Sequence, residues 1–172
     1  MIGVRCGGAA IAFVAVVVGA ASLAGGDPPS GASTKETNME PAQKATGDFE
    51  VKLDPAGEAD KAEGSSLGRM TLDKKFHGSL EATSKGQMLT AMTDTKGSAG
   101  YVAIERVTGT LGGKKGSFVL QHNATMDRGT PSLNIIVVPD SGSGELAGLT
   151  GHMTINIEGG KHSYEFSYTL PR

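Results

Sequence analysis

The chain has 172 residues, an apolar fraction of 38% and a formal net charge of −2, which allow one globular domain but give no electrostatic footprint for nucleic acid. Tryptophan is absent and aromatic residues make up only 5% of the chain, so stacking platforms for bases or sugars are scarce. The single cysteine, Cys6, lies in an N-terminal apolar segment, so the rest of the chain has no thiolate nucleophile, disulfide or cysteine ligand for a metal.

The first predicted segment, residues 1–24, resembles a secretory signal peptide. Arg5 is its only charge, residues 9–19 form an apolar core, and the small residues Ser22 and Ala24 suit a signal-peptidase site. The apolar run is short for a membrane span, which needs about 20 residues. We therefore expect cleavage and a secreted or periplasmic protein, with retention as a membrane anchor as the alternative.

Residues 25–47 form a predicted flexible linker. They are rich in Gly, Pro, Ser, Thr, Lys and Glu and contain no periodic apolar positions. Such a segment cannot bury enough surface to offset its ordering entropy. A β-barrel domain is therefore predicted over residues 48–172.

Alternation of apolar and polar residues predicts about eight strands in this domain, with a polar loop at residues 54–66. No window shows an amphipathic helix, and the 26 glycines disfavour long helices. A meander of eight strands closes most economically into an antiparallel barrel, because closure removes exposed strand edges. The predicted strands cover residues 49–53, 70–83, 87–93, 101–111, 115–126, 132–138, 152–157 and 162–169.

Glycine pairs predict the register of the hairpins, because both central residues of a two-residue turn can adopt positive φ. Gly159-Gly160 places Ile155 opposite Tyr164. Gly112-Gly113 places Glu105 opposite Leu120, and the turn at Arg128-Gly129 places His122 opposite Ile135. Three strands thus agree on one interior face, formed by Tyr101, Ala103, Glu105, Val107, Phe118, Leu120, His122, Ala124, Leu133, Ile135 and Val137.

Two ionisable residues, Glu105 and His122, lie on this otherwise apolar face as cross-strand neighbours. A lone ionisable group in a dry interior costs several kcal/mol or shifts its pKa. We therefore predict that the two side chains pair or line a wet cavity. They could form a structural hydrogen bond that fixes register, or a polar spot that orients a ligand or moves a proton.

Three segments resemble a bacterial family catalogued as domain of unknown function 3224. They are residues 100–126 (GYVAIERVTGTLGGKKGSFVLQHNATM), 142–151 (GSGELAGLTG) and 162–171 (HSYEFSYTLP), and the resemblance covers residues 49–171. That family is similar to the allene oxide cyclase-like barrel, an eight-stranded relative of the calycin and dirigent folds. The resemblance implies an all-β, antiparallel, eight-stranded closed barrel but no settled activity, and the cyclase's own site residues are not found in this chain.

The remaining motifs favour structural roles. Residues 142–147 fit a loose dinucleotide-binding pattern, but no helical pattern follows, so Leu146 and Leu149 are expected to anchor a glycine-rich bend. The four histidines form neither an i,i+4 helical pair nor an HExxH run, and no serine has a nucleophile-elbow context. We therefore expect no metal and no cofactor.

The sequence favours a binding module, because an eight-stranded barrel can hold one small ligand. The predicted ligand is a small apolar or amphipathic molecule, and the predicted contacts are Glu105, His122, Tyr101 and Tyr164.

Two other functions stay open. One is a metal-free isomerase, cyclase or lyase that uses Glu105 and His122 as an acid–base pair. The other is a structural homo-oligomer, which would form through the outward apolar residues Val102, Ile104, Ile136 and Val138.

Overall fold

The computed structural model describes residues 42–172 as an all-β domain of ten strands. The predicted signal peptide and nearly all of the predicted linker lie outside this range. No helix in residues 42–172 is long and apolar enough to cross a membrane. The strands are β1 (Gln43–Pro55), β2 (Asp60–Ala62), β3 (Ser65–Gly78), β4 (Leu80–Thr93), β5 (Ala99–Leu111), β6 (Lys114–Asp127), β7 (Thr130–Val137), β8 (Ser143–Gly144), β9 (Thr150–Glu158) and β10 (Lys161–Thr169).

Eight of these strands form a closed antiparallel ring in the order β1-β10-β9-β7-β6-β5-β4-β3, because β3 pairs back with β1. The short strands β2 and β8 lie outside the ring, on β3 and β6. The predicted eight-stranded closed barrel is confirmed. Alternate residues of each long strand therefore point into one shared interior.

The glycine turns give the registers that the sequence predicts. Ile155 pairs with Tyr164, and Glu105 pairs with Leu120. Beyond the Arg128-Gly129 turn, His122 pairs with Ile135. Gly159 and Gly160 have φ of 57° and 80°, the left-handed conformation that a two-residue turn of this kind requires.

The barrel begins earlier than predicted, because β1 starts at Gln43 rather than at Asp48. Residues 43–47 pair with β10, and Ala45 is 1% exposed in the core. The inward positions here are occupied by Ala45, which has only a methyl group, and Gly47, which has no side chain. They therefore give almost no hydrophobic alternation. Residues 43–47 therefore belong to the barrel and not to the predicted linker.

The predicted strand 70–83 is in fact two strands that meet at a tight turn at Gly78-Ser79. Gly78 has a φ of 100°, and a Cβ atom there would lie 2.6 Å from the Thr46 carbonyl oxygen. Phe76 and Leu80 are both buried on either side of the turn, so the alternation appears unbroken in the sequence. The predicted loop 54–66 also contains the short strand β2.

One end of the barrel, called here the closed end, is filled by buried side chains. It carries the turns at Gly78-Ser79 and Gly112-Gly113, which are joined by a hydrogen bond of 3.0 Å from the Gly112 N–H to the Ser79 carbonyl. Three leucines from the β7–β9 connection and the C-terminus join the core there, with exposures between 0% and 3%: Leu146, Leu149 and Leu170.

The opposite end, called here the open end, carries the β4–β5 loop and the β6–β7 turn, which are joined by a hydrogen bond of 2.9 Å from the Gly129 N–H to the Gly97 carbonyl. A small group of inward residues, Leu72, Met88 and Ala103, is buried near this end. The other inward apolar side chains there are less well covered, and Leu53 is 42% exposed. The half-buried residues are Val51, Met70, Tyr101, Leu133, Ile155 and Ile157.

Candidate functional site

Three polar side chains surround the carboxylate of Glu105 inside the barrel. Its Oε1 atom accepts hydrogen bonds from Lys74 Nζ at 2.9 Å and from His122 Nε2 at 3.0 Å. Its Oε2 atom accepts a hydrogen bond from the Ser84 hydroxyl at 2.9 Å. All four residues are buried, and Glu105 is 0% exposed. These four residues are called the Glu105 cluster below.

Strand alternation and one glycine build the cluster. Lys74 and Ser84 are direct partners across β3 and β4, while His122 is diagonal to Glu105 across β5 and β6. The direct partner of Glu105 on β4 is Gly86, where a Cβ atom would lie 2.7 Å from the Cα and Cβ atoms of Glu105. Gly86 therefore leaves the room in which the Glu105 side chain reaches Ser84 and Lys74.

The cluster contains an ionised carboxylate. Burial by itself would raise the pKa of the Glu105 carboxyl. The positive charge of Lys74 and the hydrogen bond from His122 outweigh burial and hold this pKa at about 2. Burial also lowers the pKa of His122, against the opposing effect of its hydrogen bond to Glu105. At neutral pH His122 is therefore neutral, and its Nε2–H donates to the carboxylate.

Lys74 and Ser84 were not predicted as site residues. Both fall on inward positions of their strands, in the series Leu72, Lys74, Phe76 and the series Leu80, Ala82, Ser84. A lysine at an inward position between two buried apolar residues is the signal that could have revealed the site. The Lys74 ammonium also lies 5.1 Å from the ring centroid of Phe49 and 5.7 Å from that of Phe76.

Tyr101 lies on the inner face of β5 near the open end, where it packs with Leu72, Met88 and Ala103. Burial raises the pKa of its hydroxyl to about 12, and the negative charge of Glu105 adds to this shift. Tyr101 therefore lies within the electrostatic reach of the cluster.

Tyr164 is placed differently. Its buried hydroxyl accepts a hydrogen bond from the Leu80 N–H at 2.9 Å and donates one to the His77 carbonyl at 3.1 Å. Its ring meets the Phe76 ring edge-on at 5.7 Å. Tyr164 therefore secures the β3–β4 turn, and among residues 42–172 no hydrogen bond joins it to the Glu105 cluster.

Two open grooves of about 420 and 400 Å³ lie on the protein surface, and no member of the Glu105 cluster lines either of them. The second groove is bordered by the exposed side chains of Leu67, Leu89 and Val102. Within the described part of the chain, no three His, Cys, Asp or Glu side chains converge in a way that could hold a metal ion.

These observations define a class of small closed β-barrel with one filled end, one open end and an ion-paired layer between them. The profile of a family described as "Protein of unknown function (DUF3224)" matches residues 45–168, and the chain belongs to this family. The narrower likeness to the allene oxide cyclase barrel stays a prediction.

A solved structure supports the same assignment. The crystal structure of a protein with unknown function from the DUF3224 family, from Shewanella oneidensis MR-1, shares 55% sequence identity with this chain and superposes with a TM-score of 0.72. The match covers 76% of this chain and 98% of the other. No curated protein matches the sequence.

Proposed function

We propose that this protein is an extracytoplasmic β-barrel that binds a small apolar or amphipathic molecule at its open end, above the Glu105 cluster. The observation that carries the proposal is the unequal burial of inward apolar side chains. The closed end buries Leu146 and Leu149 almost completely, whereas Ile155 and Ile157 at the open end are half-buried.

Half-buried apolar side chains inside a barrel still expose hydrophobic surface to water, and burying that surface would be favourable. Each Å² of apolar surface removed from water contributes about 25 cal/mol. A ligand of modest size that covered several of these side chains would recover this free energy without any change of fold. The polar cluster beneath would orient the ligand, because binding sites combine apolar walls with a few polar groups.

The proposal assigns different roles to the four predicted contacts. Tyr101 lies in the wall of the open end, where it can touch a ligand directly. Glu105 is fully enclosed and accepts three hydrogen bonds, so it would act by positioning Lys74 and His122. Tyr164 would act at a distance, since it holds the β3–β4 turn. The acid–base enzyme gains no specific support, because both Glu105 oxygens are occupied.

The absence of tryptophan from the chain allows a direct test. An Ile155→Trp variant places a single fluorescent reporter at the open end, and Thr154→Trp places one on the outer face of the same strand. We expect decan-1-ol, decanoate or 2-naphthol to change the emission of the Ile155→Trp variant saturably and to leave the Thr154→Trp variant unaffected.

Unmodified protein provides the second readout, because a tryptophan could itself fill the open end. Thermal unfolding and native mass spectrometry should show a bound probe and a raised Tm with at least one member of this panel. Neither a bound species nor a change in Tm across the whole panel would contradict the proposal.

Self-association is a second candidate, supported by the distribution of surface charge. The outward residues of β1 include Lys44, Asp48, Glu50 and Lys52. By contrast, the outward residues of β4, β5 and β6 on the open-end side of Lys85 and Arg106 are uncharged as far as Thr93, Gly100 and Thr125. Three of them are more than half exposed: Leu89 (57%), Val102 (53%) and Ile104 (51%). This surface, called the neutral face, also includes Gln87, Ala91, Gln121 and Asn123.

The neutral face suits a second copy of this chain. A two-fold interface is self-complementary, and amide side chains carry both a donor and an acceptor, so they can pair with their own copies. Ile136 and Val138, also predicted for an interface, are half-buried on neighbouring positions.

Sedimentation velocity tests this second role. We expect a dimer that Ile104→Glu dissociates and Thr46→Glu, on the charged side of the barrel, does not. A monomer at all accessible concentrations would exclude self-association.

A further inference from the structure

The ammonium group of Lys74 has hydrogen-bonding capacity that the protein itself does not use. A lysine ammonium carries three N–H donors. Among the described residues, its single oxygen partner is Glu105 Oε1, and the aromatic faces of Phe49 and Phe76 occupy two other sides. Its side chain is only 7% exposed, so bulk water offers little replacement.

Lys74 adjoins the open end rather than the closed end. Its direct partner on β1 is Val51, one of the half-buried residues of the open end. Phe49 connects it to His162, since the ring centroids of Phe49 and His162 lie 5.1 Å apart. Burial and the positive charge of Lys74 both lower the pKa of His162, so the field of the ammonium extends to the half-buried wall.

The negative charge nearest to this ammonium is that of the Glu105 carboxylate, and both of its oxygens already accept hydrogen bonds. Glu105 accepts hydrogen bonds from Lys74, Ser84 and His122, so its charge is spread over three donors. An oxygen acceptor that approached Lys74 from the open end would therefore meet unused N–H donors. A cationic head group would meet the same ammonium and be repelled.

We propose that Lys74 forms a head-group site, which binds the polar head group of a ligand at the open end. It selects amphipathic molecules whose head group is a carboxylate. This inference rests on the proposed function, and it names the class of ligand. The apolar tail would cover the half-buried side chains, and the carboxylate would take a hydrogen bond from Lys74 Nζ. Charge-assisted hydrogen bonds of this kind are the stronger class.

Three probes with one common tail test the inference: decanoate, decan-1-ol and decylamine, each kept below its critical micelle concentration. Binding is measured by the emission of the Ile155→Trp variant and, on unmodified protein, by isothermal titration. We expect decanoate to bind at least about tenfold more tightly than decan-1-ol and decylamine to bind most weakly.

Two substitutions on neighbouring positions of β3 assign the preference to one residue. Lys74→Met removes the ammonium group and keeps an unbranched side chain only one atom shorter. The affinity for decanoate should then fall to within about threefold of that for decan-1-ol, which should be unchanged. Lys75→Met, on the exposed outward position, should leave the preference unchanged. Circular dichroism confirms that each variant is folded.

Every outcome decides the matter. If the unmodified protein binds decan-1-ol as tightly as decanoate, the head-group site is wrong while the proposed function survives. If a folded Lys74→Met variant keeps the preference for decanoate, another residue selects the head group. If no probe binds, the proposed function fails and the head-group site fails with it. Should Lys74→Met not fold, the probe series on unmodified protein together with Lys74→Arg, which should keep the preference, still tests the inference.

Discussion

The closed end and the open end of the barrel are formed by the same strands, but they differ in how completely they bury their inward residues. At the closed end, Phe166 is 0% exposed and stacks between Phe118 and Tyr168, with centroid distances of 5.6 and 5.4 Å. At the open end, Ile155 and Leu133 pack against the core but stay half-buried.

The Glu105 cluster lies between these two regions, and its position explains why a charged layer is tolerated. Below it, aromatic and aliphatic side chains fill the barrel. Above it, the buried residues form a smaller group of Leu72, Met88 and Ala103, and other inward side chains such as Ile155 stay half-buried. Within the cluster every hydrogen-bonding atom that is fully enclosed has a partner, which is the condition for keeping charges in a low-dielectric interior. We therefore expect stability to depend mainly on the closed end, and the proposed selection of a ligand to depend on the open end.

The largest expected effect comes from breaking the layer that separates the two ends. Glu105→Gln leaves the Lys74 ammonium buried without a charged partner, and removing one member of a buried ion pair costs about 3–5 kcal/mol. Urea unfolding at neutral pH measures the loss. The matched control is Glu165→Gln, which breaks the exposed ion pair of Lys44 and Glu165 at 2.8 Å and should cost less than about 1 kcal/mol. Equal losses for the two variants would show that the cluster is not buried as described.

Truncating one apolar side chain at each end compares the ends directly. Phe166→Ala should cost about 3–5 kcal/mol, because it removes a fully buried ring from the stacked group. Ile155→Ala should cost only about 1 kcal/mol, since its side chain is half-buried. The free energies of unfolding come from the same urea series. A cost for Ile155→Ala as large as that for Phe166→Ala would mean that the open end is as well packed as the closed end.

Removing a hydroxyl at the closed end should lower the free energy of unfolding by a smaller amount. Tyr164→Phe removes the hydrogen-bond partners of the Leu80 N–H and the His77 carbonyl and should cost about 1–3 kcal/mol, because buried backbone groups lose their partners. Tyr168→Phe removes a bond to the half-buried Gln43 side chain and should cost about 1 kcal/mol or less. If the order of the two losses is reversed, Tyr164 does not secure the β3–β4 turn.

The smallest effect is a dependence of stability on pH. Burial lowers the pKa of His122 below 6.5, so the unfolded chain binds a proton on acidification before the folded protein does. Stability due to His122 is thus complete above pH 6.5 and falls as the pH drops towards the folded pKa, by up to about 1.4 kcal/mol per pH unit. Glu105 acts in the same direction at lower pH, between 4.5 and about 2.

Unfolding free energies of His122→Gln at pH 7.5, 6.5 and 5.5 measure this dependence. The variant should lose much of the slope, although His162, whose pKa is also lowered, keeps a part of it. His152→Gln, at an exposed position, should follow the unmodified protein. A slope in His122→Gln equal to that of the unmodified protein would contradict the buried neutral state of His122.

Much of the barrel could be predicted from local patterns. The glycine pairs determined the register of β9 with β10 and of β5 with β6, and the pairing of Glu105 with His122 followed from that register. The start of β1 could not be predicted, because Ala45 and Gly47 carry too little side chain to produce alternation. The β3–β4 turn was missed because Phe76 and Leu80 stay on the same face across it.

The sequence by itself determined which side chains point inward, because strand alternation has a period of two and depends only on neighbouring residues. Only the tertiary structure decided which of those side chains meet. Lys74 reaches Glu105 from a strand that is not adjacent to β5, across the gap left by Gly86, and such a contact depends on how the strands are staggered when the barrel closes. For the same reason, the difference between a filled and an open end became visible only once the ring had formed.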